Sequence, residues 1–247
     1  MAPDQTMYIL CAVLLCISFL YSSVGQAGAS GYIAAMGLLG LAPDFIRPAA
    51  LLLNILVASV TAWQFYRAGH FSWKAFWPYA VLSIPGAYAG GWITLPPFFF
   101  RAFVGCALAF AALLLIMRQK QDKEIHEPHR AVALGIGGGL GFLAGLTGIG
   151  GGVFLAPTLI LFRWAKVKTV SMASALFILV NSIAALLGLT SSAKNLPALS
   201  VMAPMAAMVV IGGLAGSYVG SRKFSVQAVK IILACVLAAA AIRMIIQ

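Results

Sequence analysis

The chain is 247 residues long, 62% hydrophobic and only 9% charged, with a mean hydropathy of +1.02, whereas a soluble domain is roughly 45–50% apolar and about 25% charged. No water-soluble fold is compatible with that balance, which leaves an all-α polytopic membrane protein, with residues 1–247 forming a single membrane domain. A formal net charge of +11 would point to nucleic acid in a soluble protein. Here the basic residues lie between apolar segments, where they set topology, so the expected surroundings are a lipid bilayer and no nucleic-acid partner.

Residues 1–6 precede the first apolar run without the positive stretch or small-residue cleavage site of a signal peptide, so the first segment is expected to stay in the mature chain. Apolar runs follow at 7–23, 29–41, 48–66, 76–95, 97–117, 131–146, 150–162, 169–191, 199–220 and 226–246. They predict about 8 to 10 hydrophobic helical segments, two of them half-helices. The runs 29–41 and 150–162 fall short of the roughly 20 residues needed to cross the hydrocarbon core, and a glycine cluster precedes each. The stretch 118–130 is the only joint with several charges of both signs. It divides the chain into a first repeat at about 7–118, a connector at 119–130 and a second repeat at about 131–247, with Gly25, Gly28 and Gly31 laid over Gly145, Gly148 and Gly151.

If every run crosses once, Arg67, Lys74, Arg118, Lys120, Lys123, Arg130, Arg163, Lys166, Lys168, Arg222 and Lys223 share one side, and Arg47, Arg101 and Lys194 the other. Eleven against three marks the first side as cytoplasmic and puts both termini outside. Were the short runs re-entrant, the same residues would divide seven against seven, so the short runs are expected to cross. Five crossings per half then turn the second repeat upside down, the inverted-topology plan of many secondary transporters.

Other features read as structure. Trp63, Tyr66, Trp73, Trp77, Trp92 and Trp164 fall near helix ends, where amphipathic rings anchor at headgroup level. Gly86 and Gly90, like Gly212, Gly216 and Gly220, put small residues on one helix face for close packing. Cys11, Cys16, Cys106 and Cys235 lie inside apolar runs without metal-ligand spacing, and His70, His126 and His129 sit in joints. No nucleophile stands beside a base at membrane depth, so no enzyme, metal site or cofactor is expected.

The acidic residues Asp4, Asp44, Asp122, Glu124 and Glu127 all lie in the terminus or in joints. An interior without carboxylates suits an anion better than a cation. No lysine or arginine stands at the centre of a run except Lys230 and Arg243, which can snorkel, so main-chain amides are expected to hold the charge. The clusters Gly25, Gln26, Gly28, Ser30, Gly31 and Thr147, Gly148, Gly150, Gly151, Gly152 each open a short helix, whose free N–H groups and roughly half a positive charge face an incoming anion. A run of about thirteen residues makes a helix of roughly 20 Å against about 30 Å of hydrocarbon, so two opposed short helices can meet near the midplane. Asn54 and Thr61, and Ser174 and Asn181, stand one heptad apart and so share a face; they offer neutral donors to a ligand, or else interhelical glue.

The stretch Gly145-Leu146-Thr147-Gly148-Ile149-Gly150-Gly151-Gly152-Val153-Phe154-Leu155-Ala156-Pro157 resembles the signature of the TauE/SafE sulfite exporter family. Arg47-Pro48 through Asn54 and the stretch from Trp63 to His70 are similar to the N-terminal repeat of many members, although Gln26 and the residues from Ala27 to Ser30 replace part of the glycine run. The resemblance implies export of a small sulfur-containing anion, sulfite or an organosulfonate such as sulfoacetate, across the bacterial cytoplasmic membrane. It also implies backbone contacts from Gly148, Gly150, Gly151 and Gly152. The expected function is therefore a secondary transporter working by alternating access, with a passive small-anion channel and a non-transporting membrane scaffold as alternatives. The sequence fixes neither the coupling ion nor the oligomeric state.

Overall fold

The computed structural model describes residues 3–93, 96, 109, 128–192, 196–223, 231 and 235. The expected runs at 97–117 and 226–246 and most of the connector lie outside the described residues. Among the described residues all regular structure is helical: α1 (Pro3–Ser23), α2 (Ala29–Leu38), α3 (Pro43–Arg67), α4 (Trp73–Trp92), α5 (Arg130–Thr147), α6 (Gly152–Leu161), α7 (Val167–Ser191) and α8 (Leu199–Arg222). Helices α1, α3, α5, α7 and α8 are long and apolar enough to cross a membrane. The two short helices appear where sequence placed them, each ten residues and so about 15 Å long.

Helix α3 starts earlier than its apolar run suggested. Pro43 at the first helical position has no N–H to lose, and Asp44 in the first turn complements the dipole. The polar first turn therefore belongs to the helix although hydropathy alone assigned it to a joint.

Helix directions follow from which residues meet. Asn54 reaches Ser182, Phe65 packs with Met172, and Leu51 packs with Ala185 and Leu189, so α3 and α7 run antiparallel through the centre. Parallel pairs flank them. In one, Gly212, Gly216 and Gly220 of α8 lie against the backbone of Leu15, Phe19 and Ser23. In the other, Gly137, Gly141 and Gly145 of α5 lie against Tyr79, Ser83 and Ala87 of α4, with Gly86 and Gly90 reciprocally against Gly138 and Phe142. At each of these glycines an added Cβ would overlap a neighbouring main chain, so the absence of side chains is what lets the helices approach so closely.

The pairing crosses the halves of the chain: α1 packs with α8, and α4 with α5. Gly212 and Gly216 meet Leu15 and Phe19 as Gly86 and Gly90 meet Gly138 and Phe142, so Phe19 corresponds to Phe142. A contact of the same kind thus precedes each glycine loop, at Phe19 before Gly25 and Gly28 and at Phe142 before Gly148 and Gly151. Gly28 and Gly151 are indeed the two N-caps, both left-handed, at φ 109° and 76°.

Candidate functional site

The chain leaving α1 and the chain leaving α5 each make a buried glycine loop and enter a short helix. The left-handed backbone at Gly28 and Gly151 turns the chain into each helix, a conformation glycine adopts without penalty. No side chain caps either helix; in α6 the Phe154 N–H turns back onto the Gly151 carbonyl at 3.0 Å.

One side chain links the two starts. Gln26 Nε2 donates to the Gly152 carbonyl at 3.0 Å, joining the first loop to the first residue of α6. Asn54 Nδ2 donates to the Ile149 carbonyl at 3.2 Å and approaches Ser182 Oγ at 3.5 Å. A Cβ on Gly150 would touch Asn54, Ser182 and Ile178, and one on Gly152 would meet Ile178 and the Ser174 carbonyl. Gln26, Asn54, Gly150, Gly152 and Ser174 therefore surround the beginning of α6. Asn181, one residue before Ser182 on α7, donates to the Phe177 carbonyl of its own helix at 2.8 Å.

Other expected residues take supporting places. Gly31 faces Ile17 and Tyr21 of α1, and Ser30 exchanges a 2.7 Å hydrogen bond with the Tyr21 hydroxyl. Gly25 lies against Ser171, whose hydroxyl donates to the Val24 carbonyl at 2.9 Å. Thr147 donates to Leu143 and accepts from the Ile149 amide at 3.3 Å, which shapes the second loop from within. Thr61 lies two turns from Asn54 on α3, fully buried.

Gln26, Asn54, Thr61, Ser174 and Asn181 all have zero exposure, and each keeps a side-chain oxygen without a hydrogen-bond partner. The orientation of all three carboxamides is fixed, because each nitrogen faces a carbonyl that can only accept. Leaving one buried polar atom unpaired costs about 1–3 kcal/mol. A lone orphan is readily served by a water; here Gln26, Asn54 and Ser174 belong to residues gathered at the start of α6, while Thr61 and Asn181 lie elsewhere on α3 and α7.

Sequence reasoning missed Arg47. This residue is 8% exposed, and its guanidinium donates to the carbonyls of Ile93 at 2.8 Å, Gly90 at 2.9 Å, Gly91 at 3.1 Å and Gly145 at 2.6 Å. It occupies the C-terminal end of α4, where the macrodipole favours a cation, and its stem packs at the position a Cβ on Gly148 would touch. Ser171 plays the matching part beside Gly25. The expectation of an interior without a buried cation is thereby corrected: one guanidinium lies beside the second loop, with Nε unpartnered. Hydropathy hid it because Arg47 precedes its run and looks like a joint residue.

The model of the sulfite exporter TauE/SafE family matches residues 10–244. The chain belongs to the TauE/SafE sulfite exporter family. It is also 35% identical over 234 residues to the "probable membrane transporter protein y4hK" of Sinorhizobium fredii (strain NBRC 101917 / NGR234), covering 93% of this chain and 94% of that protein. No solved structure matches. With five long apolar helices among the described residues, this TauE/SafE member is a multi-pass membrane protein of a transporter family.

Proposed function

We propose that this protein is a secondary carrier that exports a small sulfur-containing anion, sulfite or an organosulfonate such as sulfoacetate, across the cytoplasmic membrane by alternating access. The observation that carries the reading is the Gln26–Gly152 hydrogen bond, which brings two uncapped short-helix starts together among buried polar side chains. The first-turn amides of α2 and α6 attract the anionic oxygens, as at other helix N-termini. Glycine at 150 and 152 keeps those amides accessible. Arg47 adds positive potential nearby without giving up its carbonyl partners.

The unpartnered carboxamide oxygens of Gln26, Asn54 and Asn181 favour an anion that still carries an O–H or N–H, such as singly protonated sulfite. That arrangement would carry a proton on the substrate through an interior that offers no aspartate or glutamate relay.

Helix directions support the inverted plan. Short joins turn the chain back between α3 and α4 and between α7 and α8. With α3 antiparallel to α7 and α1 parallel to α8, helices α1 and α3 point the same way, so α2 returns the chain between them. The same reasoning applies to α6. Short segments that cross are what the charge count requires for a cytoplasmic face bearing Lys74, Lys166 and Lys168 and for termini outside.

Purified protein in liposomes is expected to show saturable counterflow of labelled sulfite. Replacing Asn54 and Asn181 together by leucine should lower the flux at least about tenfold, the scale of two lost ligand hydrogen bonds of roughly 1 kcal/mol each. Strictly linear flux would favour the channel reading. Wild-type counterflow by the double variant would remove the asparagines from the site.

A further inference from the structure

A second basic feature lies at the other end of α6. A cavity of about 400 Å³ opens there, with Lys74, Arg130 and Lys166 on its rim and Trp77, Tyr79 and Trp164 in its wall. Helices α4, α5 and α7 begin at this cavity, at Trp73, Arg130 and Val167, so three helix N-termini add their partial positive charge to that of Arg130 and Lys166. Among the described residues that line it, none is acidic. Tyr79 and Trp164 stack with ring centroids 6.3 Å apart. Tyr79 is 2% exposed, and its hydroxyl is buried without a partner. Leu159, in the last turn of α6, lines the inner wall, so the cavity stands about one ten-residue helix, roughly 15 Å, from the glycine loops.

We infer that this cavity is a cytoplasmic capture site for the transported anion, distinct from the central site and filled before it. Concave, low-dielectric walls carrying one sign of charge concentrate a counter-ion and speed its arrival. The aromatic wall suits the carbon chain of a small organosulfonate, while the cations hold its charged head. The inference rests on the carrier reading for what happens next, but binding in the cavity can be tested without it.

In proteoliposomes, ethanesulfonate flux is measured from each face of the full-length protein. For R130Q/K166Q, the ratio of the KM on the cavity side to the KM on the opposite side should rise about tenfold, and the wild-type sensitivity of that ratio to salt should flatten. An unchanged ratio overturns the inference. Binding is read separately by tryptophan quenching in phosphatidylcholine nanodiscs: wild type should titrate saturably with ethanesulfonate, and the double variant should need about ten times more. Equal titration of the two proteins overturns the site. So does loss of the wild-type signal when phosphatidylglycerol is added to the disc, because the cavity would then hold lipid headgroups. If wild type transports no sulfonate yet the variant still loses quenching, the carrier reading fails and the capture site stands.

Discussion

Asn54 is the side chain that best tests the proposed central site, because it touches the second glycine loop and α7 at once. Replacing its amide by an isosteric carboxylate leaves shape intact and changes charge. Two like charges about 5 Å apart at an effective dielectric of about 20 repel by roughly 3 kcal/mol, a factor of about 100 in affinity. Asn54→Asp is therefore expected to raise the KM for sulfite by one to two orders of magnitude at neutral pH, whereas Asn54→Ser loses much less; counterflow kinetics on the two variants decide it. Equal effects would mean that the side chain only packs. Arg47 belongs to the same scale. Its four carbonyl partners come from α4, the residue just past it and α5, so it fastens the start of α3 to the ends of two other helices.

At the scale of helices, glycine contact faces decide which elements travel together. Leucine at Gly216 would meet the Phe19 main chain and Ser22 Oγ, and no rotamer relieves a clash that begins at Cβ. Gly216→Leu should lower stability by about 1–3 kcal/mol or more, seen as a fall in melting temperature with the purified protein, while Gly135→Leu, where nothing lies within 4 Å, should be nearly neutral. The small-residue spacing at Gly86 and Gly90 and at Gly212 to Gly220 was legible in the sequence, as were the positions of both short helices and the burial of Asn54, Thr61, Ser174 and Asn181. What was not legible is partner choice, because a stripe of glycines says that something approaches closely but not which helix. Spacing lays Gly25, Gly28 and Gly31 over Gly145, Gly148 and Gly151, and it does not tell which glycine of each cluster caps its short helix; backbone handedness picks Gly28 and Gly151. Arg47 escaped because its role depends on carbonyls 43 to 98 residues away in the chain.

For the whole molecule, the halves are interlaced rather than stacked side by side. Helix α1 of the first half packs on α8 of the second, and α4 on α5, so in the proposed carrier each pair is expected to move as one body. Orientation is testable at this scale. With endogenous cysteines replaced, K166C in intact cells should react with a membrane-permeant maleimide and resist an impermeant one; labelling by the impermeant reagent from outside would reverse the topology.

Interlacing also has a cost in time. Ser18 of α1 donates to the Val209 carbonyl of α8, across 191 positions of chain. At about 5–20 residues per second, the ribosome needs roughly 10–40 seconds to deliver α8 after α1 has entered the bilayer. Through that interval the face of α1 that receives α8 waits for its partner, and the α1–α8 contact forms only after the intervening helices have been made.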